Sequence, residues 1–208
     1  MANNIFRSFI FLKGIIMQIF SIPFGRKIPR YTCQIQNTQT GKYIPAVVYE
    51  YDCKDESDIQ EVKNLNRKWL FKDCIAHCMD VKHSVQNFFN EKSNDSFYSI
   101  QVGPQIIGLT QICTTNGISN IDYITTKPRN EYKYAGQTMV ACAGKELLKK
   151  NGYLMTVSTA IDDAYPFYRK IGFREYGDHL FKMNRDDIST LIDITEIETN
   201  APILDKKA

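Results

Sequence analysis

Ile118 to Phe173, ISNIDYITTKPRNEYKYAGQTMVACAGKELLKKNGYLMTVSTAIDDAYPFYRKIGF, is the stretch whose order of parts decides the fold. Ile118 to Thr126 reads as a strand. After a loop containing Pro128, Lys133-Tyr134-Ala135-Gly136-Gln137-Thr138 forms a glycine turn that opens a helix. From Gly136 to Lys150, Met139, Val140, Ala143, Leu147 and Leu148 recur at helical spacing, and Asn151-Gly152 supplies the stop. Tyr153 to Thr159 is a short apolar strand. A helix over Asp163 to Lys170 follows and leads into Ile171-Gly172-Phe173.

Upstream, Phe97 to Val102, Ile106 to Thr115 and Ile118 to Thr126 are separated by Gly103-Pro104-Gln105 and Asn116-Gly117, so they predict a three-strand antiparallel meander. Tyr31 to Asn37 and Tyr43 to Tyr51 predict an opening strand pair joined by Thr38-Gln39-Thr40-Gly41-Lys42. Between Asp52 and Ser93 the chain is polar and mixed. Ser57 to Leu65 and His83 to Glu91 are its helical candidates, with Trp69, Leu70 and Phe71 pinning that layer to the sheet. Downstream, Phe173 to Tyr176 and His179 to Met183 predict a last hairpin across Gly177-Asp178.

The expected domain spans residues 31–185, with an N-terminal extension over 1–30 and a C-terminal tail over 186–208 that packs on a neighbour. At 208 residues the chain can bury one sizeable core. Its 43% hydrophobic and 24% charged residues are those of a globular protein, not a disordered one. A net charge of +3 gives no electrostatic indication of nucleic acid.

Ile5 to Phe20 is apolar, but Arg7 and Lys13 interrupt it, so no run reaches the ~18 residues of a spanning helix. It predicts a short amphipathic helix or a tail. Its apolar residues could serve self-association as a homodimer, and Met17 is an alternative start. The expected localisation is cytoplasmic. Cys33, Cys53, Cys74, Cys78, Cys113 and Cys142 read as reduced packing thiols. Cys74, His77, Cys78 and His83 have zinc-ligand chemistry but no second paired cluster, and no metal is expected.

Ala164-Tyr165-Pro166-Phe167-Tyr168-Arg169-Lys170-Ile171-Gly172-Phe173 matches A-x-x-F-Y-x-K-x-G-F. Together with the glycine turn and the order of elements, this run resembles the GNAT superfamily of acyl-CoA-dependent N-acetyltransferases. The resemblance covers residues 97–183 closely and residues 31–96 in outline. It implies a single α/β domain with a central mixed, mostly antiparallel sheet flanked by helices. The implied reaction is transfer of acetyl from acetyl-CoA to a primary amine, by direct attack in a ternary complex and without metal.

Lys133, Tyr134, Ala135, Gly136, Gln137 and Thr138 resemble the family's R/Q-x-x-G-x-G/A signature. Lys133 replaces Arg or Gln, and Thr138 replaces the closing Gly or Ala. Free N–H groups at a helix start would hold the cofactor pyrophosphate there. Ile124, Thr125 and Thr126 would pair their backbone with the pantetheine arm and polarise the thioester carbonyl. Tyr168 matches the tyrosine that protonates the departing thiolate, a transfer that the reference acidities of phenol and thiol allow. The asparagine often found three residues before the motif's alanine is replaced by Ile161.

An ammonium substrate must lose a proton before it attacks, and Asp122 is the candidate base, ahead of Glu131 in the loop. Cys142, inside an apolar helix, is no nucleophile candidate, and His77, His83 and His179 read as surface or packing residues. The acceptor stays open among small amines, antibiotics, protein N-termini, lysines and aminoacyl-tRNA. The compact last hairpin favours an open groove for a small or flexible acceptor. Two alternatives stand beside the enzyme: a non-catalytic acyl-CoA-binding or regulatory module, and a structural protein assembling through its N-terminus.

Overall fold

The computed structural model describes residues 27–52, 55–58, 60, 61, 64, 95–127, 131–158, 160 and 162–195, together with a strand pair of Phe11–Leu12 and Ile15–Ile16. One sheet organises the molecule. Its strands are β1 (Ile28–Asn37), β2 (Tyr43–Tyr51), β3 (Asp95–Val102), β4 (Gln105–Thr115), β5 (Ile118–Thr126), β6 (Tyr132–Lys133), β7 (Leu154–Val157), β8 (Arg174–Glu175) and β9 (Phe181–Asn184). After β6 come the helices α1 (Ala135–Lys149), α2 (Tyr165–Lys170) and α3 (Arg185–Thr195). A single 3-10 turn, Asp162–Ala164, leads into α2.

The strand order is β8-β9-β7-β5-β4-β3-β2-β1-β6. Every neighbouring pair is antiparallel except β5 and β7, which run parallel. The sheet is therefore mixed and mostly antiparallel, as expected. A parallel pair needs a crossover, and α1 provides it.

Local chemistry sets the turns. Asn116 and Gly117 both have positive φ, 51° and 77°, the twist that a two-residue hairpin requires. At the β1–β2 turn the Asn37 side chain accepts from the backbone N–H groups of Gln39 and Thr40, each at 3.0 Å. Asn151, at φ 59°, ends α1, and the Gly152 N–H reaches back to the Leu147 carbonyl at 2.9 Å.

On one face of the sheet, Ile35, Val48, Ile100, Ile121 and Met155 pack with Met139, Val140 and Leu147 of α1 in one core. The opposite face is more polar. There Tyr51 Oη accepts from Ser99 Oγ and Gln101 Nε2, each at 3.1 Å, in a buried cluster.

Three expectations change. Within the N-terminal extension Phe11–Leu12 and Ile15–Ile16 pair as strands, not as an amphipathic helix. The ordered strand β1 begins at Ile28, ahead of the expected boundary. The C-terminal tail begins as helix α3. Asp186 and Asp187, which read as an acidic tail, occupy its first turn and complement the helix dipole, and Asn184 Oδ1 caps the Asp187 N–H at 2.9 Å. Behind them Ile188 and Leu191 are buried. A β-carbon added at Gly144 of α1 would stand 2.7 Å from Ile188 Cγ2, so the two helices meet at contact distance.

Residues 56–58, 60, 61 and 64 are helical, matching the Ser57–Leu65 candidate but beginning one residue earlier. The His83–Glu91 candidate, the Trp69-Leu70-Phe71 pin, and Cys53, Cys74, His77, Cys78 and His83 lie outside the described residues. Among the described residues no helix is long and apolar enough to cross a membrane.

Candidate functional site

The site starts from one extra residue. Gln111 pairs with Tyr123 and Ile112 with Ile121, so Asp122 is left over as a bulge in β5. A bulge bends its strand and strengthens the local twist. On the other side of β5, pairing with β7 covers Ile118, Ser119 and Asn120 and goes no further. From the bulge onward, β5 stays with β4 and parts from β7.

That parting leaves main-chain groups on an open edge. The Lys127 N–H donates to the Ile107 carbonyl of β4 at 2.8 Å. Backbone groups alternate between edges along a strand. Thr125, two residues earlier, therefore also faces β4, while Ile124 and Thr126 direct their N–H and C=O groups toward the edge that β7 has left. Ile124 is partly buried against the core, Thr125 is buried and Thr126 is exposed.

The glycine turn lies beside this edge. Lys133 is exposed, and its backbone is tied into the ladder opposite Gln36 of β1. Tyr134 precedes α1 with φ 72°, a left-handed conformation unusual for a bulky residue, and its ring is exposed. The first helical hydrogen bond runs from the Thr138 N–H to the Tyr134 carbonyl at 2.8 Å. The N–H groups of Ala135, Gly136 and Gln137 therefore precede the helical ladder, where the positive end of the dipole adds to them. The side chains of Ala135 and Thr138 are buried, and Gln137 Nε2 donates to Thr195 Oγ1 of α3 at 3.4 Å. The turn thus offers an anion its backbone.

At Gly136 three elements converge. A β-carbon there would lie 3.1 and 3.2 Å from Cζ and Cε2 of Phe167 in α2, and 3.8 Å from Cγ2 of Thr126 in β5. A backbone this close to a neighbouring ring admits only glycine without displacement.

Tyr168, next to Phe167, is buried at 5% exposure. Its ring lies between Phe167 (centroids 5.2 Å apart), Phe173 (5.6 Å) and Phe181 (5.5 Å). Burial pushes its phenol up to about 12, so it is a protonated donor at neutral pH.

Asp122 is exposed, four residues before Thr126, or roughly 13 Å of extended strand. It accepts a hydrogen bond from Asn120 Nδ2, and Asn120 Oδ1 accepts from Thr156 Oγ1 of β7 at 2.9 Å. This chain crosses the last rung of the β5–β7 pairing. Sequence reasoning missed Asn120 and Thr156; the Asn-x-Asp spacing, which puts two polar side chains on one strand face, was the available signal. Glu131 is engaged in an ion pair with Lys127 at 2.5 Å.

The thiols are quiet. Burial raises the pKa of the Cys142 thiol well above the ordinary value and pushes that of Cys33 up to about 12, so neither is a thiolate at neutral pH. His179 belongs to the last hairpin: its N–H donates to Tyr165 Oη at 2.9 Å, and its Nδ1 lies 2.8 Å from the Ala160 carbonyl.

No protein-family model matches the chain, and no curated protein matches it in sequence. Solved structures do match in three dimensions. A GNAT-family putative acetyltransferase from Desulfovibrio desulfuricans aligns with TM-score 0.53 and 13% identity, over 67% of this chain and 99% of its own. The AtaT toxin bound to the C-terminus of the antitoxin AtaR aligns with TM-score 0.51 and 16% identity, over 70% and 96%. Tetrahymena GCN5 aligns with TM-score 0.50 and 12% identity, over 62% and 89%. With these likenesses beside the forked strands, the glycine turn and the crossover helix, the chain has the fold of the GNAT acetyltransferases.

Proposed function

We propose that this protein transfers an acetyl group from acetyl-CoA to a primary amine by direct attack in a ternary complex. The observation that carries the reading is the fork between β5 and β7, with outward main-chain groups on Ile124 and Thr126, next to the N–H groups that begin α1. Acetyl-CoA would supply an activated acetyl thioester. The residues fit such a molecule, since Gly136 keeps the turn clear of a β-carbon and the buried Tyr168 stands on the adjoining helix.

Each group has one task in this reading. The first-turn N–H groups of Ala135, Gly136 and Gln137 hold the diphosphate, with Lys133 as the nearby cation. The open edge of Ile124 and Thr126 pairs with the extended arm, and an N–H there polarises the carbonyl. Tyr168 donates the proton that the leaving sulfur needs. Asp122, oriented by Asn120, takes the acceptor's ammonium proton, and roughly 13 Å from Thr126 it does so through water.

The test is turnover of acetyl-CoA over a panel of amines, wild type against Tyr168→Phe. We expect a loss of about 100-fold in kcat for the variant, within the usual contribution of a general acid. Wild-type binding of acetyl-CoA with no turnover of any amine would favour the non-catalytic module.

A further inference from the structure

We propose that Phe167 is a positioning residue, the gauge that fixes the distance between the diphosphate-binding turn and the Tyr168 phenol. The proposal rests on the acetyl-transfer reading above and deepens it at the same site. Its basis is a contact that joins two otherwise separate pieces of the machinery. The Gly136 α-carbon faces the tip of the Phe167 ring so closely that an added β-carbon would lie 3.1 Å from Cζ and 3.2 Å from Cε2. The same ring stands edge-on to Tyr168, with centroids 5.2 Å apart and planes at 62°.

Tyr168 has little freedom to compensate for a shift of Phe167. Phe173, at an interplanar angle of 75°, and Phe181, at 36°, close its other sides, and both are buried. Interiors packed like this transmit a displacement rather than absorb it. Pro166, in the first turn of α2, fixes the backbone of the residue before Phe167. A movement of the glycine turn therefore reaches the phenol through one ring. The contact also explains why glycine is needed at 136 inside a helix, where alanine would otherwise be favoured.

The prediction is a coupling between Gly136 and Phe167, because leucine at 167 removes the two ring atoms that a β-carbon at 136 would strike. The experiment uses the full chain as wild type, Gly136→Ala, Phe167→Leu and the double variant. It reads thermal unfolding without ligand, acetyl-CoA affinity by calorimetry, and kcat with KM. Gly136→Ala alone should weaken acetyl-CoA binding about 10-fold, and the double variant should return to within about threefold of Phe167→Leu, a clear non-additivity for residues in contact.

A purely structural role would lower stability alone. A positioning role should make Phe167→Leu lower kcat about 10-fold with KM for acetyl-CoA unchanged, and make Tyr168→Phe cost less than about 10-fold in that background. Additive effects on binding and kcat in a protein that binds acetyl-CoA would overturn the proposal while leaving the acetyl-transfer reading intact. If the wild type fails to bind acetyl-CoA, the acetyl-transfer reading falls and takes the positioning role of Phe167 with it.

Discussion

The two faces of the sheet are buried by different means. Toward α1 the strands present Ile35, Val48, Ile100, Ile121 and Met155, and Met139 and Leu147 of the helix complete an apolar core. On the far side Tyr51, Ser99 and Gln101 are as deeply buried, and they satisfy one another: Gln101 Nε2 also donates to Ser99 Oγ at 3.0 Å. Apolar packing is tolerant of small shifts in direction, whereas a hydrogen-bonded cluster fixes angles and is costly to leave half made. The apolar face is what holds α1, and with it the glycine turn, at a set distance from β5.

Adjacent residues on β3 test that contrast most strongly. Ile100 points into the α1 core and Gln101 into the polar cluster. Ile100→Ala should cost about 3 kcal/mol, the usual penalty for emptying a core position. Gln101→Ala should cost about 1–2 kcal/mol, because Tyr51 and Ser99 each lose a donor while keeping each other. Chemical denaturation gives both values, and equal losses would erase the distinction between the faces.

Alkaline pH sharpens the same comparison. Burial raises Tyr31, Tyr51 and Tyr98 well above the ordinary phenol value and Tyr168 to about 12. A group whose folded value is raised stabilises fully below its unfolded value, near 10, and loses that contribution as pH climbs toward the folded one. Unfolding free energy should therefore hold up to about pH 10 and fall between about pH 10 and 12. Tyr168→Phe should flatten part of that fall. For the same reason the Tyr168 donor should impose no alkaline limb on the rate below about pH 10.

The smallest effect is expected where α1 meets β1 at its exposed end. Glu146 accepts from Tyr31 Oη and from Lys149 Nζ, the latter at 2.9 Å. Burial works to raise the Glu146 carboxyl, but these two partners outweigh it and hold it below its ordinary value. Its contribution is present above that ordinary value and disappears as pH falls through the lowered one. Glu146→Gln should cost about 1 kcal/mol at neutral pH and nothing in acid, which two denaturation curves would check.

Much of the fold was legible in the sequence because its punctuation is local. Asn116, Gly117 and Asn151 take a left-handed backbone shape that few residues adopt, and Gly136 allows a close approach that a β-carbon would crowd, so they mark boundaries directly. The α3 helix was not legible in the same way: Asp186 and Asp187 look like a tail until their place in a first helical turn is known. The bulge at Asp122 is a matter of register between two strands, and a single strand does not carry that information.

The site divides along the same line. Tyr168 and the glycine turn stand in continuous motifs. The contact of Phe167 with Gly136, and the chain from Thr156 through Asn120 to Asp122, join residues 31 and 36 positions apart, the separations from 136 to 167 and from 120 to 156. Only the folded chain brings them together. The acceptor is least legible, since the chain between Asp52 and Ser93 is polar, mixed and free of recognisable motifs.

The most direct test of the central claim is a calorimetric titration of the purified protein with acetyl-CoA and with CoA, repeated on Gly136→Trp. An indole at 136 would collide with Phe167, whose ring already stands 3.1 Å from a β-carbon placed there, and would displace the turn. Binding by the wild type, with loss in the variant despite an unchanged circular dichroism spectrum, is the predicted result. No binding by the wild type, or equal binding by both proteins, would contradict a cofactor site at the fork of β5 and β7.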